Sequence, residues 1–166
     1  GFAPADWNRL YKDFTQKKHI SEEILVKAGL IGKKNGRCYD TFRNRCMFPI
    51  MDLRGKVVAF GGRILNAEES HAKYLNSPET SIFNKRKLLF PIYQALPEIK
   101  KRRQAIMVEG YMDAISLHAN GIKNAVASLG TAFTVEQARL LKKYADEVVF
   151  SYDMDSAGQN ATKRAL

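Results

Sequence analysis

Residues 105–121 read "AIMVEGYMDAISLHANG". Ala105–Val108 form a short apolar run, which predicts a strand, and Glu109 closes it. Tyr111 onward has the pattern of a helix that carries Asp113 in its first turn and ends near Gly121. The same unit recurs downstream. "KNAVAS" (123–128) predicts a second strand, and "TVEQARLLKKYA" (134–145) a second helix capped by Thr134. "EVVFSYD" (147–153) predicts a third strand, and "SAGQNATKRAL" (156–166) begins a third helix. Strands alternating with single-helix connections imply a parallel sheet with right-handed crossovers, so this part is α/β.

In an open parallel sheet, ligands bind beyond the carboxyl ends of the strands. Glu109 and Asp153 close two strands there, Asp113 lies one helical turn on, and Asp155 follows two residues after Asp153. In an extended chain Asp153 and Asp155 project to one side. Carboxylates gathered at such a rim repel one another unless a cation joins them. Hard oxygen donors suit Mg²⁺ or Mn²⁺, and two-metal phosphoryl transfer uses this kind of acidic cluster. Gly110, Ala157 and Gly158 would let a phosphate approach the backbone. An aspartate at the position of Asp113 also caps a helix, so the combination E-G-x-x-D with D-x-D-x-A-G carries more weight than either half. No G-x-G-x-x-G or Walker loop follows a strand, and His19, His71 and His118 are scattered away from any Ser or Cys nucleophile motif.

The first part of the chain differs in charge. The net charge is +10, with residues 1–104 holding 21 Lys and Arg against 10 Asp and Glu, and residues 105–166 holding 6 against 7. A basic part beside a faintly acidic one predicts a polyanion-binding surface next to a cation site. "HISEEILVKAGLI" (19–31) predicts a helix capped by Ser21 and ended by Gly29, followed by a loop, "GKKNGR". "CMFPIMDLRGKVVAFGGRIL" (46–65) predicts two antiparallel strands around Asp52–Gly55, with Gly61–Gly62 allowing a bulge or a close approach. "AKYLNSPETSIFNKRK" (72–87) has no clean period and reads as an ordered loop, and "LPEIKKRRQ" (96–104) as a boundary. The division expected is a basic α+β subdomain over 1–104 and an α/β subdomain over 105–166. Cys38 and Cys46 match no metal spacing and read as free thiols of a reducing compartment. No signal peptide or membrane span is visible, so a cytoplasmic protein is expected. The abrupt ends suggest a fragment.

Two stretches carry a family resemblance. "VEGYMDAISLHANGIKNAVASLGTAFT" followed by "VVFSYDMDSAGQNATKRAL" resembles the TOPRIM domain shared by primases, topoisomerases and some nucleases. Upstream, "GFAP", "FRNRCMFPIMDLRGKVVAFGGRIL" and "KYLNSPETSIFNK" are similar to the RNA polymerase core of bacterial DnaG-type primases. The resemblance implies a core that synthesises short RNA primers on single-stranded DNA by metal-dependent nucleotidyl transfer. It implies catalytic roles for Glu109, Asp153 and Asp155, with general acid/base work for Glu109, and a metal site of Glu109, Asp113, Asp153 and Asp155. It places Arg63, Lys73, Tyr74 and Lys85 against template and nucleotide phosphates, with Arg43 and Arg45 sharing that role. Mg²⁺ or Mn²⁺ is the implied cofactor, with no zinc in this stretch. Single-stranded DNA, ribonucleoside triphosphates and a replicative helicase reached through a further C-terminal domain are the implied partners, at bacterial replication forks. Where the family has a His-Lys-Gly-Arg segment this chain reads Asn84-Lys85-Arg86-Lys87, so only Lys85 carries over. A further acidic D-x-D element of the family falls beyond Leu166, and a fragment without it is expected to be weakly active alone. The competing readings are a TOPRIM nuclease or topoisomerase, and a DNA-binding module whose carboxylates merely cap helices.

Overall fold

The computed structural model describes residues 1–66 and 72–153. Asp155 and the expected third helix lie outside the described residues. The chain forms two compact units, Gly1–Pro49 with Ala59–Ile82, and Ile50–Val58 with the residues from Phe83 onward.

In the first unit, α1 (Arg9–Lys12) runs into a π-helical turn, Asp13–Lys17, and α2 spans Glu22–Lys27. Ser21 caps α2 by accepting from the Ile24 amide, and Gly29 leaves it with φ +69°. "GKKNGR", expected as a loop, instead supplies strand ends and the turn of a hairpin. β2 (Ile31–Lys34) pairs antiparallel with β3 (Arg37–Asp40) around Asn35 and Gly36, both at positive φ. Asn-Gly with two positive φ values is the turn whose twist matches antiparallel strands, and that local signal outweighs the polar composition. Leu25, Ile31 and Cys38 are buried together, with Leu10, Tyr11 and Phe14 packed against them. Cys38 and Cys46 are both free.

β1 (Phe2–Ala3), β4 (Arg45–Met51), β5 (Val57–Ile64) and β6 (Tyr74–Asn76) form a four-stranded sheet in the order β1-β4-β5-β6. The Asp52–Gly55 turn joins β4 to β5 as expected, with the Gly55 amide donating to the Asp52 carbonyl at 3.0 Å. Part of the stretch read as a loop is β6, which pairs antiparallel with β5 and sets Arg63 opposite Tyr74. A strand this short shows no alternation that could be read from sequence.

In the second unit, Leu96–Arg102 of "LPEIKKRRQ" belong to α3 (Ile92–Arg102), and the break falls only at its end. Pro97 lies inside α3, where it removes a backbone donor, a cost of about 3 kcal/mol. Ile92, Ala95 and Ile99 follow a helical spacing and are completely buried, and that burial carries the helix past the proline. The left-handed Arg103 (φ 55°) ends it. β7 (Gln104–Val108), α4 (Tyr111–Ala119), β8 (Ala125–Ala127), α5 (Val135–Lys142) and β9 (Glu147–Phe150) then alternate. β7 is central, parallel to β8 and to β9, in the order β8-β7-β9. The fold is thus the expected mixture of antiparallel pairing and a parallel α/β sheet. α3 packs with this sheet, although it lies on the N-terminal side of residue 104. Its buried face joins Leu89, Ala105, Met107, Val126 and Leu141 in one core.

Candidate metal and nucleic-acid site

At the carboxyl edge of the parallel sheet, β7 and β9 end side by side. Glu109 follows β7 directly, and the chain leaving β9 brings the Asp153 amide to donate to Glu109 Oε1 at 3.0 Å. One oxygen of Glu109 is therefore oriented by backbone. Glu109 and Asp153 are both exposed residues at the same rim. Asp113 sits in the first turn of α4 and accepts from the Gly110 amide through Oδ2 at 2.9 Å, which caps the helix. Tyr111 fixes the start of that helix: it is buried edge-on against Phe90, ring centroids 4.6 Å apart, and burial raises its phenol well above the ordinary value.

In the chain Tyr152 lies between β9 and Asp153. Its half-buried ring lies edge-on to Phe150 at 5.5 Å, and Phe150 lies edge-on to Phe133 at 5.4 Å. Burial, and then the negative charge of Glu109, push its phenol up to about 12, so it keeps its proton at neutral pH.

Among the described residues, no three His, Cys, Asp or Glu side chains gather as a ready-made metal site. Glu109 and Asp153 nonetheless fit a hard divalent ion of the Mg²⁺ kind, which is commonly held by one or two carboxylates together with water and substrate phosphate.

Among the basic residues singled out in the sequence, the structure separates two neighbours. Asn44, in the left-handed region at φ 51°, divides Arg43 from Arg45. Arg45 is 5% exposed and donates to the Gly62 carbonyl at 3.1 Å and the Lys73 carbonyl at 3.5 Å, so it ties the sheet together from inside. Its stem fits because position 62 is glycine: a Cβ there would come within 2.9 Å of Phe42 and 3.0 Å of Arg45. The Arg43 guanidinium instead lies over the Trp7 ring at 4.6 Å and the Tyr39 ring at 5.5 Å. Arg63 lies over its cross-strand partner Tyr74 at 5.9 Å, and Lys73 is exposed beside them. Lys85, in the second unit, has its carbonyl held by the buried Gln137 amide at 3.2 Å.

Sequence reasoning missed Trp7 and Tyr39. Trp7 is 58% exposed, and its ring is 5.6 Å from Tyr39. Asp40 fixes this arrangement by accepting from the Leu10 and Tyr11 amides, at 2.7 and 3.0 Å, while its own amide donates to the Trp7 carbonyl at 2.8 Å. Two open cavities of about 450 Å³ each border Trp7, one reaching Arg43 and the other Lys34 and Arg37. An exposed aromatic ring flanked by cations is what base stacking with phosphate contact requires. The alternation of basic and aromatic residues through "KKNGRCYD" was the available signal, once read as a hairpin.

A parallel sheet with an acidic carboxyl edge defines a class, and the comparisons agree: residues 106–166 match the Toprim-like family. Residues 1–96 match the family "DNA primase catalytic core, N-terminal domain". The chain belongs to the DNA primase catalytic-core family. It is 53% identical over 166 residues to the DNA primase of Clostridium acetobutylicum, covering 100% of this chain and 27% of that protein. Against the Synechococcus elongatus DNA primase the identity is 48% over 170 residues, with 24% of that protein covered. The chain thus spans about a quarter of the length of the relatives it matches. Among solved structures, a DnaG primase catalytic domain bound to ssDNA superposes with a TM-score of 0.89 at 42% identity, covering 99% of this chain and 51% of that one. The RNA polymerase domain of Mycobacterium tuberculosis DnaG gives 0.91 at 38% identity, covering 99% and 56%. Membership of this family implies a divalent metal. No described helix is long and apolar enough to cross a membrane.

Proposed function

We propose that the chain forms part of the catalytic core of a bacterial primase, which makes short RNA primers on single-stranded DNA. The observation that carries this reading is the meeting of Glu109 and Asp153 at the carboxyl edge of the parallel sheet, in a chain of the primase family. The reaction joins a primer 3′-oxygen to the α-phosphorus of a ribonucleoside triphosphate, with pyrophosphate leaving and the hydroxyl proton passing to a base. Glu109 and Asp153 hold the divalent ion through their carboxylates, Mg²⁺ or Mn²⁺ by the hardness of the donors, with Asp113 and Asp155 as the further ligands proposed from sequence. When bound, the ion neutralises charge at the phosphate and makes the attacking hydroxyl more acidic. The Asp153 amide keeps Glu109 turned toward its neighbour, and Glu109 is the base proposed to take the hydroxyl proton. Arg63, Lys73 and Lys85 bind phosphates, Tyr74 and Trp7 offer ring faces to bases, and Arg43 holds the phosphate beside Trp7. Arg45 acts through the sheet it ties. The basic stretch 1–104 serves template and nucleotide, and 105–166 serves the metal. The partners proposed are single-stranded DNA, ribonucleoside triphosphates and, through other parts of the whole protein, a replicative helicase. The cytoplasm is the compartment where these meet.

The test is RNA synthesis from ribonucleotides on single-stranded DNA by the full-length protein. Glu109→Gln and Asp153→Asn are each expected to lower synthesis at least 100-fold while leaving DNA affinity unchanged. Cleavage of DNA without RNA synthesis would establish the nuclease or topoisomerase reading instead. Wild-type synthesis by Asp153→Asn would remove the metal role.

A further inference from the structure

Thr134 and Gln137 each do more than a helix cap needs. To cap α5, the Thr134 hydroxyl has only to accept from the Gln137 amide, as it does at 3.1 Å. The same hydroxyl also donates to the Arg86 carbonyl at 2.5 Å. Gln137 completes the cap by accepting from the Thr134 amide through Oε1 at 3.1 Å, and the Ser128 hydroxyl shares that oxygen at 3.3 Å. Both protons of its Nε2 go elsewhere, to the Lys85 carbonyl at 3.2 Å and the Leu88 carbonyl at 2.9 Å. Every donor and acceptor of this wholly buried side-chain amide is thus engaged.

What these groups hold is a turn with three successive cations, Lys85-Arg86-Lys87, whose charges repel one another. Within it the Arg86 amide donates to Asn84 Oδ1 at 2.9 Å, and the Lys87 amide to the Asn84 carbonyl at 3.1 Å. The carbonyls of Lys85, Arg86 and Leu88 are pinned from α5. The sheet sets where this turn lies. Ala127, at the end of β8, pairs with Val108 on one side and bridges antiparallel to Phe90 on the other. The residues before Phe90 therefore pass beyond the carboxyl end of β8, while Glu109 follows Val108 at the same edge. Two strand spacings, about 10 Å, separate Phe90 from Val108, a span that a nucleoside triphosphate covers.

We propose that Thr134 and Gln137 are positioning residues for Lys85: the cap of α5 holds the Lys85–Leu88 backbone so that the lysine meets a phosphate of the incoming ribonucleoside triphosphate. This rests on the primase reading and on the phosphate contact given there to Lys85. A lysine stem is flexible, and a fixed backbone beneath it lowers the ordering cost of a phosphate contact.

The test is a double-mutant cycle in the full-length protein, reading KM for ribonucleotide in primer synthesis and Kd for ATP with Mg²⁺. Lys85→Ala is expected to raise both by about tenfold or more. Thr134→Ala should raise both by about fivefold and lower kcat less than that. Thr134→Ser, which keeps the hydroxyl, should restore the wild-type values. In the Lys85→Ala background, Thr134→Ala should change KM and Kd by less than about twofold, because the group it positions is gone. Loss of the cap lowers the thermal midpoint in both backgrounds, so reduced stability alone does not produce this split. A fivefold effect of Thr134→Ala that persists without Lys85 would overturn the inference, by giving Thr134 a purely structural role. Wild-type KM and Kd in Thr134→Ala, beside raised values in Lys85→Ala, would overturn it and leave the phosphate contact of Lys85 standing. Wild-type values in Lys85→Ala would remove that contact and the inference with it. A wild-type protein that makes no primers would overturn the primase reading as well.

Discussion

Arg103 and Asp146 show how single residues fix the sheet at the end opposite the acidic rim. Arg103, in the left-handed turn that ends α3, donates to both oxygens of Asp146 at 2.6 and 3.0 Å and to the Tyr144 carbonyl at 3.1 Å. The hydrogen bonds from Arg103, and then its charge, hold the Asp146 carboxyl below its ordinary value. The folded state therefore binds that proton less readily than the unfolded chain does. Its contribution to stability is complete above the unfolded carboxyl value, near pH 4, and fades as pH falls through the lower folded value. Asp146→Asn should accordingly unfold more easily than wild type at neutral pH. The difference between the two should shrink as pH falls below about 4. Denaturant titrations at several pH values measure this, and a difference independent of pH would mean that the pair contributes through geometry alone. The pair is exposed, so the effect is small in size; its pH signature is the informative part.

At the scale of elements, Gln137 joins three pieces of the second unit. Its amide accepts from the Ser128 hydroxyl at 3.3 Å and from the Thr134 amide at 3.1 Å. It donates to the Lys85 and Leu88 carbonyls at 3.2 and 2.9 Å. The side chain is wholly buried, so α5, the loop after β8 and the segment before α3 share one amide group. Gln137→Leu preserves volume and orphans these partners, at an expected cost of about 2–4 kcal/mol in denaturant unfolding. Ser128→Ala removes one bond of that set and should cost about 1 kcal/mol or less. A Gln137→Leu protein as stable as wild type would show that the bonds are replaced by water. Elements of this kind differed in how legible they were. The caps at Ser21 and Thr134 and the strand–helix alternation after residue 104 could be read directly, because each is set by neighbours in sequence. α3 was hidden by Pro97 and its basic tail, since its helix rests on a buried face that composition does not reveal. β6 is too short to show a period. The meeting of Glu109 with Asp153 follows from the rule that strand ends of a parallel sheet share an edge. The Trp7–Tyr39–Arg43 stack had no such rule behind it, because it depends on Asp40 drawing the start of α1 to the end of β3.

For the whole molecule, the separation of charge makes two functions separable by experiment. Residues 1–104 hold 21 basic against 10 acidic side chains, while 105–166 hold 6 against 7. On the proposed reading a polyanion is held chiefly by the first part, and a cation by the carboxylates of the second. If about six phosphates are neutralised, the logarithm of affinity for single-stranded DNA falls with the logarithm of salt at a slope of roughly −4. Arg43→Ala removes one of those contacts and should make the slope shallower by about 0.7. Trp7→Ala removes a ring face and no charge, so it should weaken binding by about 1–3 kcal/mol at every salt concentration and leave the slope alone. Fluorescence anisotropy with a labelled oligonucleotide reads both quantities from one titration series. Chelation by EDTA supplies the other half of the argument: it should abolish RNA synthesis while changing DNA affinity little, since the phosphate contacts are made by side chains. Loss of DNA binding on chelation would mean that a metal ion bridges protein and template.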